Sequence, residues 1–210
     1  MSSTEIEVAK ELIQINTIKF QPSNPFTWAS GWKAPIYCDN RKILSYPETR
    51  EFICRHFVRV IREKYPDAEV IAGVATGAIA HGVLVADRLG LPFVYIRSEP
   101  KGHGLENQIE GDLKPGQKTV IIEDLVSTGN SSLKAVSAVS NFGGRILGMV
   151  AIFTYNFPHA EENFKKAGVR LTTLSCYNVL IDIALERGEI KKEDVGHLIK
   201  WREDPVNWGK

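Results

Sequence analysis

The chain has 210 residues, of which 43% are hydrophobic and 24% charged, and its formal net charge is +1 at pH 7. This length suits one substantial domain, and the near-neutral charge excludes a global field that would attract nucleic acid or a membrane. The N-terminus lacks the basic start and apolar run of a signal peptide, and no apolar stretch approaches the roughly 18 residues of a membrane span. Scattered Cys38, Cys54 and Cys176 are predicted to be buried free thiols, which favours the cytoplasm over an oxidising compartment.

Hydrophobic periodicity predicts an alternation of helices and strands along the chain. The first part is predicted to hold a helix over about 4–19, an irregular or short-stranded segment over 21–40, and a helix that opens at the capping box Ser45-Tyr-Pro-Glu48. The following strands are predicted at 69–74, 93–97, 119–122, 146–154 and near 171–174. The intervening helices are predicted at 78–89, 131–142 and 160–166, with two more helices at the C-terminus and a long polar stretch over 98–116. This alternation predicts an α/β fold with a parallel sheet flanked by helices, whose ligands bind at the carboxyl ends of the strands.

The strand that begins at Thr119 is predicted to end in two adjacent acids. The residues that follow its apolar part are Glu123, Asp124, Leu125, Val126, Ser127, Thr128, Gly129, Asn130 and Ser131. Adjacent strand residues point to opposite faces, and two buried acids cost free energy unless ribose hydroxyls or a cation bind them. The Ser/Thr/Gly segment precedes a helix, whose free amides and dipole favour a phosphate. An ordinary capped turn is the alternative for the short segment alone.

Two further strand ends carry unusual residues. A polar loop follows Arg97 and contains Lys101 and His103, each followed by glycine; loops longer than roughly 12–15 residues are often lids. A solvated surface loop is the alternative. The glycines of the segment 73–82 suit either close backbone approach to a ligand or tight helix packing. The aromatic segment 26–41 is likewise either core packing or part of a site.

The string from Thr119 to Ser131 resembles the motif that binds phosphoribosyl pyrophosphate (PRPP) in type I phosphoribosyltransferases. Its long form is similar to that of the orotate phosphoribosyltransferases, in their short bacterial-type form, and the resemblance runs nearly end to end, through Trp201-Arg-Glu-Asp-Pro205. It implies a single domain over 1–210, with a small hood at about 20–44 that covers the base, a core at about 45–175 and C-terminal helices at about 176–205.

The resemblance also implies roles for individual residues. In that family a Lys-x-His-Gly loop closes over pyrophosphate, so Lys101 and His103 are the expected catalytic residues. The expected PRPP-binding residues are these two together with Arg97, Glu123, Asp124, Leu125, Val126, Ser127, Thr128, Gly129, Asn130 and Ser131. Thr76 and Gly77 match the family's pyrophosphate loop, which contains a strained peptide bond. Ser127, Tyr37 and Cys38 are expected beside orotate.

The implied reaction joins orotate to the ribose of PRPP, giving orotidine 5′-phosphate and pyrophosphate in pyrimidine biosynthesis. The implied cofactor is Mg²⁺, held mainly by PRPP and water rather than by a protein cage. The family's loop serves the neighbouring subunit, which implies a homodimer with shared sites and no nucleic-acid or membrane partner. An enzyme for a purine base is the nearest alternative, and a PRPP-sensing regulator, which should show a basic face or an added DNA-binding module, is another.

Three positions depart from the family's pattern. Ala29 and Ser98 stand where members carry lysine, and no arginine lies near Tyr155-Asn156 in the sequence. A shorter subgroup of the family shares these changes, so they are not interpreted as a loss of activity.

Overall fold

A computed structural model describes residues 2–28, 30–99 and 108–209, which form ten strands, seven α-helices and one 3₁₀ helix over Asn40–Ser45. The strands are β1 (Ile18–Phe20), β2 (Phe26–Thr27), β3 (Lys33–Ala34), β4 (Ile36–Cys38), β5 (Val70–Val74), β6 (Phe93–Ile96), β7 (Ile109–Glu110), β8 (Lys118–Val126), β9 (Arg145–Thr154) and β10 (Leu171–Cys176). The α-helices are α1 (Ser3–Gln14), α2 (Pro47–Lys64), α3 (Ile79–Leu89), α4 (Asn130–Asn141), α5 (Pro158–Lys166), α6 (Tyr177–Glu186) and α7 (Lys192–Glu203).

The central sheet has six strands in the order β10-β9-β8-β5-β6-β7. All its neighbours are parallel except the short edge strand β7, which runs antiparallel to β6. Every residue of β5 is buried, as expected for a parallel strand covered on both faces. The predicted α/β fold with a parallel sheet is therefore confirmed, with β7 added within the stretch that was predicted to be polar loop.

Three local predictions were wrong. The first helix ends at Gln14 rather than near residue 19, because Ile18 already pairs with Cys38 in an antiparallel strand pair. The predicted capping box does not form: α2 begins at Pro47 after Tyr46, whose side chain makes no cap hydrogen bond. Strand β8 does not end at residue 122 but continues through both acids to Val126.

The hood consists of two small antiparallel sheets, β1–β4 and β2–β3, that rest on an aromatic cluster. The Trp28 ring lies 5.1 Å from that of Tyr155 and 5.5 Å from that of Trp201, between ring centroids. Two indole nitrogens hold the hood's main chain: Trp28 Nε1 donates to Ile36 O at 3.2 Å, and Trp201 Nε1 to Lys33 O at 3.1 Å. The core-packing interpretation of these tryptophans is thus supported, since such rings combine a large apolar area with one satisfied donor.

The three cysteines are buried free thiols, as predicted. Within the described residues, no helix is long and apolar enough to cross a membrane.

Candidate active site

A gap opens beside the end of β8 because its two neighbouring strands end at different levels. Strand β9 accompanies β8 as far as the pair Val126↔Thr154, whereas β5 accompanies it only to Gly73↔Ile122. Beyond Val74 the chain turns away, and the Ala75 amide donates to Ile96 O of β6 at 2.8 Å. The last residues of β8 therefore line an open crevice at the carboxyl end of the sheet, where ligands of such folds bind.

Glu123 and Asp124, the acid pair, lie at this crevice. Glu123 is only 4% exposed, and Ser132 Oγ donates to its Oε2 at 2.8 Å while the Asp124 amide donates to its Oε1 at 3.1 Å. Both carboxylate oxygens of Glu123 are thus occupied by protein donors. Asp124 is the member of the pair whose carboxylate is less enclosed, so it is better placed to accept hydrogen bonds from a ligand.

The two acids differ in how readily they ionise. Burial, reinforced by the neighbouring Asp124 charge, raises the pKa of Glu123 well above its ordinary value. Burial also raises the pKa of Asp124, but hydrogen bonding with Glu123 and with main-chain amides opposes that rise. Both carboxyls are therefore harder to ionise than exposed acids, and Glu123 is the more deeply buried of the two.

The loop that follows β5 packs directly against Asp124. A Cβ on Gly77 would overlap the Asp124 carboxylate, so only glycine leaves this approach open. The Ala75–Thr76 peptide bond, next to Gly77, is cis. The other glycines of the segment serve packing instead, because a Cβ on Gly82 would meet the Phe93 ring at 2.6 Å. The two interpretations of the segment thus apply to different glycines.

Residues 127–131, the phosphate cradle, connect β8 to α4. Gly129 is the residue before the helix and has φ +80°, a left-handed conformation that favours glycine. The N-cap Gly129 supplies no side-chain acceptor, and Thr128 Oγ1 accepts only a long hydrogen bond, at 3.5 Å, from the Asn130 amide of the first turn. The dipole of this twelve-residue helix therefore lies behind amides that are at most weakly capped. This arrangement is suited to a phosphate, and phosphate binding by these residues stays a prediction.

A cavity of about 350 Å³ joins these parts to the hood. Its lining residues are Cys38, Asp39, Asn40, Arg41, Val74, Ala75, Thr76, Gly77, Glu123, Asp124, Leu125 and Ser131. Cys38 and Tyr37 were both expected beside orotate, but they alternate along β4: Cys38 faces the cavity, whereas Tyr37 is 39% exposed and does not line it. Burial, with Asp124 and Asp39 nearby, raises the pKa of the Cys38 thiol well above its usual value.

The remaining expected PRPP residues lie around this cavity or outside the described part of the chain. Val126 is fully buried, and Ser127, Thr128, Gly129 and Asn130 follow β8 without lining the cavity. Arg97 does not line it either; its Nη1 lies 3.6 Å from Glu110 Oε1 on β7. Lys101 and His103, the expected catalytic residues, lie outside the described residues.

Several residues at the site were not predicted. Asn40 and Arg41 line the cavity from the hood, and Arg41 Nε lies 2.6 Å from Asp39 Oδ1. Ser132 was missed because its contact with Glu123 depends on where α4 begins. Arg202 of α7 donates to Asn156 O at 3.2 Å, so a guanidinium reaches the segment that lacks its own arginine.

Among the described residues, no group of three His, Cys, Asp or Glu side chains could hold a metal ion. The crevice nevertheless offers carboxylate oxygen, the donor that Mg²⁺ prefers. Asp124 is the residue that fits such an ion, because both oxygens of Glu123 are already engaged.

Comparison with known proteins identifies the family. Residues 44–179 match the phosphoribosyl transferase domain. The chain is 61% identical over 202 residues to the orotate phosphoribosyltransferase of Porphyromonas gingivalis, covering 96% of each chain. Its structure resembles the orotate phosphoribosyltransferase of Aeropyrum pernix, with a TM-score of 0.75 and 26% identity over 88% of this chain and 99% of that one. It also resembles Leishmania donovani UMP synthase, with a TM-score of 0.78 and 25% identity over 94% of this chain, and it spans 42% of that longer protein. The chain therefore belongs to the orotate phosphoribosyltransferase family.

Proposed function

We propose that this chain transfers the 5-phosphoribosyl group of PRPP to orotate, giving orotidine 5′-phosphate and pyrophosphate in pyrimidine biosynthesis. The observation that carries the proposal is the position of the acid pair, in a crevice directly ahead of a helix N-terminus whose N-cap is a glycine without a side-chain acceptor. Sugar hydroxyls and a phosphate on the same ribose match that sequence of acceptors and donors. The 61% identity to an orotate phosphoribosyltransferase supports the assignment of the base.

Each part of PRPP has a proposed position. Asp124, oriented by its contact with Glu123, accepts hydrogen bonds from the ribose hydroxyls, and the cradle 127–131 binds the 5′-phosphate. Thr76 and Gly77 border the opposite side of the crevice and provide the pyrophosphate subsite. Orotate then approaches from the hood, where Cys38 lines the cavity, with Ser127 and Tyr37 as further proposed contacts.

In the proposed reaction a ring nitrogen of orotate loses its proton to water and donates its electron pair to ribose C1. The bond between C1 and the pyrophosphate oxygen breaks, and its electrons leave with pyrophosphate. No covalent intermediate with the protein is required. Positive charge develops at the ribose carbon, close to Asp124. Lys101 and His103, in the loop that follows Arg97, stabilise the negative charge on the leaving pyrophosphate.

We assign Mg²⁺ as the cofactor, bound mainly to the phosphate oxygens of PRPP and to water. Asp124 is the protein group best suited to act as a further ligand, because it offers carboxylate oxygen. When bound, the ion would neutralise charge on the pyrophosphate.

An assay of orotate consumption tests the proposal. The purified chain, with PRPP and Mg²⁺, should lower the orotate absorbance, and turnover should fall to background when uracil, adenine or hypoxanthine replaces orotate. Comparable turnover with a purine would show that the base assignment is wrong while leaving the PRPP site intact. No turnover with any base, together with no binding of PRPP, would exclude the proposed function.

We also propose a homodimer in which Arg97, Lys101 and His103 serve the partner's acid pair. Arg97 does not line the cavity of its own chain, which supports this arrangement. Lys101→Ala and Asp124→Asn should each give a nearly inactive homodimer. Mixing them should restore roughly a quarter of wild-type activity, because about half of the dimers are mixed and each has one intact site. If subunit exchange is confirmed by mass and no activity returns, the loop serves its own subunit.

A further inference from the structure

Asn40, the first residue of the 3₁₀ helix that follows the hood strand β4, has a buried polar side chain in direct contact with the acid pair's main chain. It is 1% exposed. Its Nδ2 donates to Asp124 O at 2.7 Å, across 84 residues of sequence, and its Oδ1 accepts from Cys38 Sγ at 3.3 Å. Because a carbonyl oxygen can only accept, the contact with Asp124 fixes which side of the amide carries the donor.

The Asp124 carbonyl needs this donor because of where β5 ends. The register of β8 with β5 stops at Ile122, and the register with β9 passes from Glu123 to Leu125 without Asp124. A strand carbonyl next to a missing neighbour is left without a ladder partner, and such groups are rarely buried unsatisfied. The Asn40 amide occupies the place that the next strand would have taken.

A second element also approaches Asn40. His81, on α3 and 2% exposed, lies close enough to the Asn40 main chain for that contact to oppose part of the effect of burial on the His81 pKa. Among the described residues, its Nε2 has no hydrogen-bond partner. Burial lowers the pKa of His81 to about 4, so the ring is neutral near pH 7. Asn40 thus joins the hood, α3 and the end of β8 at one point.

We propose that Asn40 is a positioning residue for the acid pair: its amide sets the direction of the Asp124 main chain and thereby aims the Asp124 carboxylate into the crevice. The inference rests on the proposed function, because the ligand of Asp124 is there taken to be the ribose of PRPP. It goes further by making the hood part of the ribose site as well as of the base site. A change in the hood at Asn40 therefore alters PRPP use.

Two variants isolate the donor. Asn40→Ala removes both contacts of the side chain without adding charge. Asn40→Asp keeps an acceptor for Cys38, but it replaces the donor by a carboxylate oxygen that faces the Asp124 carbonyl. Both should lower kcat/KM for PRPP by about 10-fold to 100-fold, since misplacement of a reacting group by about 1 Å can cost that much. Because both variants lack the donor to Asp124, a decrease in kcat/KM that they share is attributed to its absence. Both should also reduce the rise in Tm that PRPP with Mg²⁺ gives the wild type.

Ser175→Ala is the matched control. Ser175 is fully buried, its Oγ donates to Glu5 O at 2.9 Å, and it does not line the cavity. It should lower Tm while leaving kcat/KM and the PRPP response unchanged. If the Asn40 variants lose no more kcat/KM than Ser175→Ala at a similar loss of Tm, Asn40 is merely structural and the inference is overturned.

Failure of the proposed function gives a different result. In that case the wild type itself would show no PRPP-dependent rise in Tm, and the inference would fall with it. A wild type that responds to PRPP, beside Asn40 variants that respond equally, overturns the inference alone. If one variant does not fold, the other supplies the comparison.

Discussion

His81 makes the stability of this protein depend on pH in a way that one substitution can isolate. Its imidazole is buried, and burial lowers its pKa from 6.5 to about 4. The folded chain therefore keeps His81 neutral at a pH where the unfolded chain protonates it. The stabilisation is complete above the unfolded pKa of 6.5 and is lost as the pH falls from there towards 4. At about pH 5 the loss from this one group is about 2 kcal/mol, approaching about 3 kcal/mol below the folded pKa.

The measurement is urea unfolding of the wild type and of His81→Gln at about pH 7.5 and about pH 5, at one protein concentration, because the stability of an oligomer depends on concentration. Between the higher and the lower pH, the free energy of unfolding of the wild type should fall by about 2 kcal/mol more than that of the variant. Other groups also make the stability depend on pH. The lowered pKa of His56 likewise makes the folded protein less stable as the pH falls, whereas the raised pKa values of the acid pair make it more stable. Subtracting the variant removes these shared contributions.

His197→Gln provides the control, because His197 is exposed on α7 and its replacement should leave the pH dependence unchanged. Equal losses in the wild type and in His81→Gln would refute the reasoning. That result would mean that the folded protein accepts a proton on His81 as easily as the unfolded chain does.

Three further substitutions test separate parts of the site. Gly77→Ala would place a Cβ on the Asp124 carboxylate, so kcat/KM for PRPP should fall by about 10-fold or more with little change in Tm; an unchanged kcat/KM would contradict that close approach. Trp201→Phe loses the donor to Lys33 O and leaves a void where the fully buried indole packed, so the free energy of unfolding should fall by more than the roughly 1 kcal/mol of the hydrogen bond alone in urea titrations, and no loss would contradict this packing. Lys101→Ala should reduce turnover by about 10²–10³ with a smaller effect on PRPP binding; an increase in KM alone would make Lys101 a binding residue.

The sheet and most helices could be predicted from the sequence because their signals are local. Apolar runs and their spacing identify β5 and β9 almost to the residue. The errors occur where a contact with a segment distant in sequence determines where a strand or helix ends. Strand β8 continues through Glu123 and Asp124 because β9 still pairs with it, and the two polar residues at its end do not reveal that partner. Helix α1 stops early because Ile18 has a partner twenty residues later, which no local pattern shows.

The same division applies to the site. The position of the acid pair and of residues 127–131, between the central sheet and a helix N-terminus, was predictable because these residues are consecutive in sequence. The contacts of Asn40 with Asp124 and of Ser132 with Glu123 were not, since each depends on the level at which a strand ends or a helix begins. Tyr37 and Cys38 illustrate a third case: the segment was predicted to be irregular or short-stranded, and only the strand β4 itself shows which of these two adjacent side chains faces the cavity.

The residues inside the family match and those outside it have different proposed roles: the former bind PRPP and the latter cover the base. Residues 44–179 contain the acid pair, the cradle and the loop around Gly77, all of which we assign to PRPP. The hood strands precede that segment, and α7, whose Trp201 holds the hood through Lys33 O, follows it. The elements that cover the proposed base site therefore come from both ends of the chain and are joined to each other by a buried indole. Changes in either terminal segment should thus alter orotate recognition, whereas Asn40 is the point at which the hood also reaches the ribose site.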